Sequence, residues 1–124
     1  MEKYLLLLIV LFTGILGQIL LKIEANQLVP LLPEIDSLGK FLLVVFSFLK
    51  NFKILLVLFL YGLGFLTWIF ILTKFELSYV FPMLVIIYPL VMFFSWIFLK
   101  EDITTLRVLG TLIIVIGIIL VAKS

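Results

Sequence analysis

Charged residues along this chain fall in short clusters, and between the clusters run four long stretches without a charge. Residues 4–21, 54–73 and 78–99 are each close to or above the roughly 20 residues that an α-helix needs to cross a hydrocarbon core of about 30 Å. A fourth stretch, 108–122, reaches spanning length when Thr104, Thr105, Leu106 and Arg107 begin its helix near the headgroups. The pattern predicts an all-α membrane protein with transmembrane helices over about 4–22, 54–73, 78–99 and 104–122, forming a single integral membrane domain from residue 1 to 124. The connection between the first two spans opens on Pro30, Pro33, Glu34 and Asp36, where helix is disfavoured. It then turns apolar over about 37–50, with Lys40, Ser47 and Asn51 on a narrow polar stripe. That segment is too short to span and reads as an amphipathic helix lying in the interface or packing on the bundle.

Within the spans, Pro82 and Pro89 remove two backbone donors from the third helix and predict kinks there. The connections 74–76 and 100–102 are so short that the second and third helices, and the third and fourth, should be antiparallel neighbours. Lys3, Lys74 and Lys123 then lie on one side of the membrane. Lys22, Lys40, Lys50, Lys53, Lys100 and Arg107 lie on the other, an excess that favours both termini outside.

Composition reinforces the membrane assignment. Sixty-six per cent of the residues are hydrophobic and 13% charged, more apolar surface than a soluble domain of this length could cover. The chain has no cysteine and no histidine, so thiol chemistry and imidazole-based metal binding are excluded, and no cofactor or metal is expected. A net charge of +2 from scattered lysines gives no footprint for nucleic acid, while allowing a mild attraction to anionic headgroups. No nucleophile or acid/base pair is visible inside the spans, so an enzyme is not expected.

None of the four apolar spans contains an aspartate or glutamate, the groups on which proton-driven export of cations usually depends. Polar character gathers instead at the end of the first helix, where Gly14, Gln18 and Lys22 recur every four residues on one face. Gln18 must face protein, water or substrate, because its bare amide in lipid is costly. An interhelical hydrogen bond and a substrate contact both satisfy it. Lys22 can snorkel to the headgroups or bind a ligand. Glu101 and Arg107 flank the start of the fourth helix, either as solvated anchors or, with Lys22, as holders of a phosphate at the mouth of a groove, for which arginine's forked donors are suited. Tyr61, Trp68, Tyr88 and Trp96 can serve as packing and interfacial anchors or line a cavity. Gly110 and Gly117, seven apart on the fourth helix, permit close approach of another helix, from a second subunit or from the same bundle. Four helices enclose little volume, so a path for a sizeable substrate would form most easily between two copies or beside a related subunit.

The second half of the chain contains Leu77-Ser78-Tyr79-Val80-Phe81-Pro82-Met83-Leu84, Phe98-Leu99-Lys100-Glu101-Asp102-Ile103, Arg107-Val108-Leu109-Gly110 and Gly117-Ile118-Ile119-Leu120-Val121. In order and spacing these resemble the small four-helix members of the drug/metabolite transporter superfamily, with their aromatic-proline entry to helix three, loop glutamate, and Arg-x-x-Gly followed by Gly seven residues on. The resemblance covers the chain outside about 26–53. Small multidrug resistance exporters carry an essential glutamate where this chain has Gly14. By contrast, Gly17-Gln18 followed by Leu21-Lys22 is similar to the subunits of the aminoarabinose-phosphoundecaprenol flippase. The resemblance implies a multi-pass protein of the inner (plasma) membrane that moves a polyprenyl-phosphate-linked sugar as a homodimer or a heterodimer with a related small subunit. Gln18, Lys22, Arg107, Glu101, Tyr61 and Tyr88 are its candidate substrate contacts. A small-metabolite or drug exporter of the same superfamily, using Tyr61, Trp68 and Tyr88 as an aromatic cavity, and a non-transporting accessory subunit are the alternatives.

Overall fold

A computed structural model describes all 124 residues and is helical throughout, without strands. The helices are α1 (Glu2–Leu28), α2 (Leu38–Lys50), α3 (Phe52–Leu72), α4 (Leu77–Leu84), α5 (Ile87–Phe94) and α6 (Thr105–Lys123). Four helical segments are long and apolar enough to cross a membrane: α1 with the turn that follows it, α3, the 23-residue segment Leu77–Leu99 and α6. The chain exposes 9051 Å², whereas a soluble monomer of 14.3 kDa would expose about 6,800 Å² by the usual size scaling. Only 11 of 124 residues are buried, so packing within one chain covers little of the apolar surface and the rest needs lipid or another protein.

Local chemistry sets the element ends. After the last apolar turn of α1, the run Lys22-Ile23-Glu24-Ala25-Asn26-Gln27-Leu28 contains no helix breaker, and the helix continues to Leu28. The connection therefore starts six residues later than the hydropathy pattern alone suggests, and Glu24 becomes a helical residue. A single 3₁₀ turn, Val29–Leu31, carries Pro30, and Leu32, preceding Pro33, is driven to an extended conformation at φ −88°, ψ 148°. Ser37 caps α2 by accepting from the Lys40 amide at 3.3 Å, and Lys40 reaches back to Asp36 at 2.7 Å. Asn51 caps α3 through Oδ1, which accepts from the amides of Lys53 and Ile54 at 2.9 and 3.3 Å. Thr104 caps α6, accepting from the Arg107 amide at 3.4 Å.

The third span is interrupted between its two prolines. Pro82 lies within α4, the chain turns at Val85 and Ile86, and Pro89 sits in the first turn of α5, where its missing donor costs least. Beyond α5, Ser95–Leu99 widens into a π turn that ends on Lys100 in the left-handed region at φ 53°. The sequence pattern, read as α-helix to residue 99, missed this widening.

α1 is the central helix, packed along α3 on one side and against α5 on another. Small residues allow the close approach. A Cβ on Gly17 would lie 2.7 Å from Tyr61 Cε1, one on Gly14 2.9 Å from Ile87 Cδ1, and one on Gly64 3.1 Å from Thr13 Oγ1. Leu7, Ile71 and Val80 form a buried cluster that joins α1, α3 and α4. At that end Lys74 Nζ lies 3.8 Å from a Glu2 carboxylate that is 91% exposed.

Candidate functional site

The opposite end of the bundle is richer in charge, and α1 organises it. Lys22 and Glu24 are two residues apart, about 200° around a helix, so they address different neighbours. Glu24 Oε1 lies 3.1 Å from Lys53 Nζ in the first turn of α3, and Lys22 Nζ lies 3.9 Å from Glu101 Oε1 in the connection to α6. The two pairs differ in setting. The Glu24 side chain is 4% exposed, whereas Lys22 and Glu101 are 52% and 41% exposed. Burial makes the first a fixed tie between α1 and α3; exposure makes the second a weak and replaceable contact.

Glu101 also borders a groove of about 390 Å³ between α5 and α6, with Tyr88, Met92, Ser95, Arg107 and Thr111 among its lining. The π turn and the left-handed Lys100 bring the chain to this position, and the Glu101 amide closes the turn on the Ser95 carbonyl at 3.4 Å. Arg107 donates from Nη1 to the Asp102 carbonyl at 3.1 Å, which fixes the guanidinium beside the loop and leaves its other donors without a partner in the chain. Thr111 donates to the Arg107 carbonyl at 2.7 Å and also lies 3.4 Å from Met92 Sδ across the groove, while Ser95 donates to the Met92 carbonyl at 3.0 Å. An arginine with unengaged donors and a lysine held only by an exposed carboxylate thus lie on either side of Glu101 as two cations open to an anion.

Of the residues singled out in the sequence, Tyr88, Glu101, Arg107 and Gly110 line this groove, and Lys22 lies outside its lining, 3.9 Å from Glu101. Gln18 is exposed on α1, one turn from Gly14, which meets α5, and one turn from Lys22; it makes no interhelical hydrogen bond in the single chain. Tyr61 lies elsewhere. With Trp68, Phe81 and Gly64 it borders a separate groove of about 280 Å³ on the α1, α3 and α4 side. A single aromatic cavity of Tyr61, Trp68 and Tyr88 is therefore not formed, because Tyr88 projects into the other groove. The Tyr61 hydroxyl is buried without a hydrogen-bond partner. Gly110 and Gly117 have open space where a Cβ would stand, so neither packs against another helix of the chain.

Sequence reading missed Glu24. The apolar spans contain no acid, but the helix that continues the first one does, and it buries that acid against α3. The absence of a breaker before Pro30 and the i, i+2 placement of Lys22 and Glu24 were the available signals. Comparison with protein-family models, with curated proteins and with solved structures returns no match to this chain.

Proposed function

We propose that this multi-pass membrane protein is a transporter, a flippase or flippase subunit for a lipid whose head is a phosphate, such as a polyprenyl-phosphate-linked sugar of the inner (plasma) membrane. The observation that carries the reading is an open groove bordered by Arg107 and by the Glu101 carboxylate, which Lys22 approaches at 3.9 Å from α1. Arg107 and Lys22 hold the phosphate, Gln18 contacts the polar head from α1, and Tyr88, Ser95 and Thr111 border the space the head occupies. The lipid tail remains in the bilayer beside the interrupted third span. No covalent step is needed, because the task is to shelter one polar head from hydrocarbon during transfer. A second copy or a related small subunit completes the path, with Gly110 and Gly117 as the surface that admits a close helix. α2 lies in the interface, its polar stripe turned to the headgroups.

Native mass spectrometry of the purified protein, offered undecaprenyl phosphate, a glycosylated form of it and an aromatic cation in competition, tests this reading. Selective retention of the polyprenyl lipids, lost in Lys22→Ala and Arg107→Ala, is the expected result. Retention of neither lipid overturns it.

A second reading, export of an aromatic cation, is favoured by the separate groove of Tyr61, Trp68 and Phe81. Retention of the cation alone, lost in Trp68→Ala, would establish it.

A further inference from the structure

We infer that Glu101 is the resident counter-ion of the headgroup site: its carboxylate occupies Lys22 when the site is empty, and a phosphate ester binds by taking its place. This rests on the flippase reading and gives Glu101 a role distinct from that of a ligand.

Three features carry it. First, the Lys22–Glu101 contact is long, at 3.9 Å, and about half exposed on both sides, so it contributes little and is released at little cost. Glu24, the acid that α1 itself carries at this end, is buried on Lys53 and has no such freedom. Second, Glu101 lies on irregular backbone between the π turn and α6, where no helix fixes the direction of its side chain. Third, Glu101 stands between two cavities. It borders the Arg107 groove and also a neighbouring one of about 330 Å³ that it shares with Trp96, Lys100 and Asp102. A carboxylate leaving Lys22 thus has space to enter and a second cation, Lys100, beside it.

The order of events follows from which cation is free. Arg107 has no carboxylate partner and meets the incoming phosphate first through its unengaged donors. The phosphate, held at Arg107, then competes with Glu101 for Lys22. A phosphate monoester carries up to twice the charge of the carboxylate and a sugar-linked diester the same single charge, but either can draw on Arg107 as well as Lys22, whereas Glu101 holds one cation. A neutral head cannot make this exchange and leaves the pair closed, so the counter-ion discriminates by charge.

The test is a binding titration of undecaprenyl phosphate in nanodiscs of zwitterionic lipid, with inorganic phosphate as a parallel arm. Glu101→Gln should bind the lipid about threefold to tenfold more tightly than the unsubstituted protein, the scale of one exposed ion pair plus the repulsion it removes. Glu34→Gln makes the same change in net charge at an exposed acid without an ion pair and should leave affinity unchanged. The ion-pair part of the gain should vanish without Lys22, so Lys22→Ala/Glu101→Gln should gain clearly less over Lys22→Ala than Glu101→Gln gains over the unsubstituted protein. An equal gain for inorganic phosphate identifies the phosphate group as the recognised source, and a gain for the lipid alone identifies the lipid-borne ester. If the unsubstituted protein binds and Lys22→Ala weakens it, but Glu101→Gln binds no better, the counter-ion role is overturned and the flippase reading stands. If neither form binds, both fall.

Discussion

Glu24 on α1 and Lys53 on α3 form an ion pair at 3.1 Å in which the acid is 4% exposed and the base 61%. The asymmetry decides what each substitution does. Lys53→Ala strands a buried carboxylate and should destabilise the protein by about 2 kcal/mol, whereas Glu24→Gln retains the packing and should cost about 1 kcal/mol or less. Thermal unfolding in detergent, with the exposed Lys123→Ala as reference, reads the order. Equal melting temperatures for Lys53→Ala and Lys123→Ala would show that the pair holds nothing.

Gly17 leaves room for the Tyr61 ring, whose Cε1 lies 2.7 Å from where a Cβ would stand, so a larger residue there must displace the ring or part α1 from α3. Gly17→Ala should therefore cost about 1–3 kcal/mol. Gly62→Ala on α3, with open space around it, should be neutral or slightly stabilising. The same melting assay separates them.

The unpartnered Tyr61 hydroxyl makes a prediction of opposite sign. Tyr61→Phe removes a buried polar atom that has no hydrogen bond and should stabilise the protein by about 1 kcal/mol. A fall in melting temperature would show that the hydroxyl has a partner in the membrane, a water or a bound ligand.

Arg107 clamps its own loop through Nη1 and offers the remaining donors to the groove. Lysine supplies the charge without the fork. Arg107→Lys should leave folding intact and weaken polyprenyl-phosphate binding by about tenfold, between the unsubstituted protein and Arg107→Ala. Affinity equal to that of the unsubstituted protein would assign Arg107 to anchoring alone.

Because the chain has no cysteine, its topology can be read by single introduced thiols. Lys100→Cys should react with a membrane-impermeant maleimide from one side, and Lys74→Cys and Ser124→Cys from the other. Labelling of all three from both sides would show that the chain inserts in two orientations.

The four spanning helices were legible because an uncharged run of spanning length has few other fates in water or lipid. The caps at Ser37, Asn51 and Thr104 are of residue types that favour that position, but the hydropathy pattern assigns Asn51 to a polar stripe and Thr104 to the fourth helix itself. Less was legible where structure depends on neighbours. Hydropathy ended the first helix at Lys22, since polar residues look like a boundary, yet Glu24 stays helical because Lys53 waits for it on α3. The π turn at Ser95–Leu99 leaves no compositional trace, and it decides where Glu101 stands. Tyr61 and Tyr88 were grouped by residue type, but α3 and the interrupted third span direct them into different grooves.

The placement of Lys22 and Glu24 on opposing faces of α1 also has a mechanical side. A helix tied at one level to two neighbours in opposed directions resists rolling about its own axis, since either sense of rotation stretches one tie. At the other end the ion pair of Glu2 with Lys74 lies largely in solvent, and α1 is held there by the apolar packing of Leu7 against Ile71 and Val80. The bundle is thus tied by directional charge contacts at one end and by apolar packing at the other. If Glu101 gives up Lys22 to an arriving phosphate, the tie from α1 to the connection before α6 is released while Glu24 still holds α1 to α3, so the release loosens α1 toward one neighbour only.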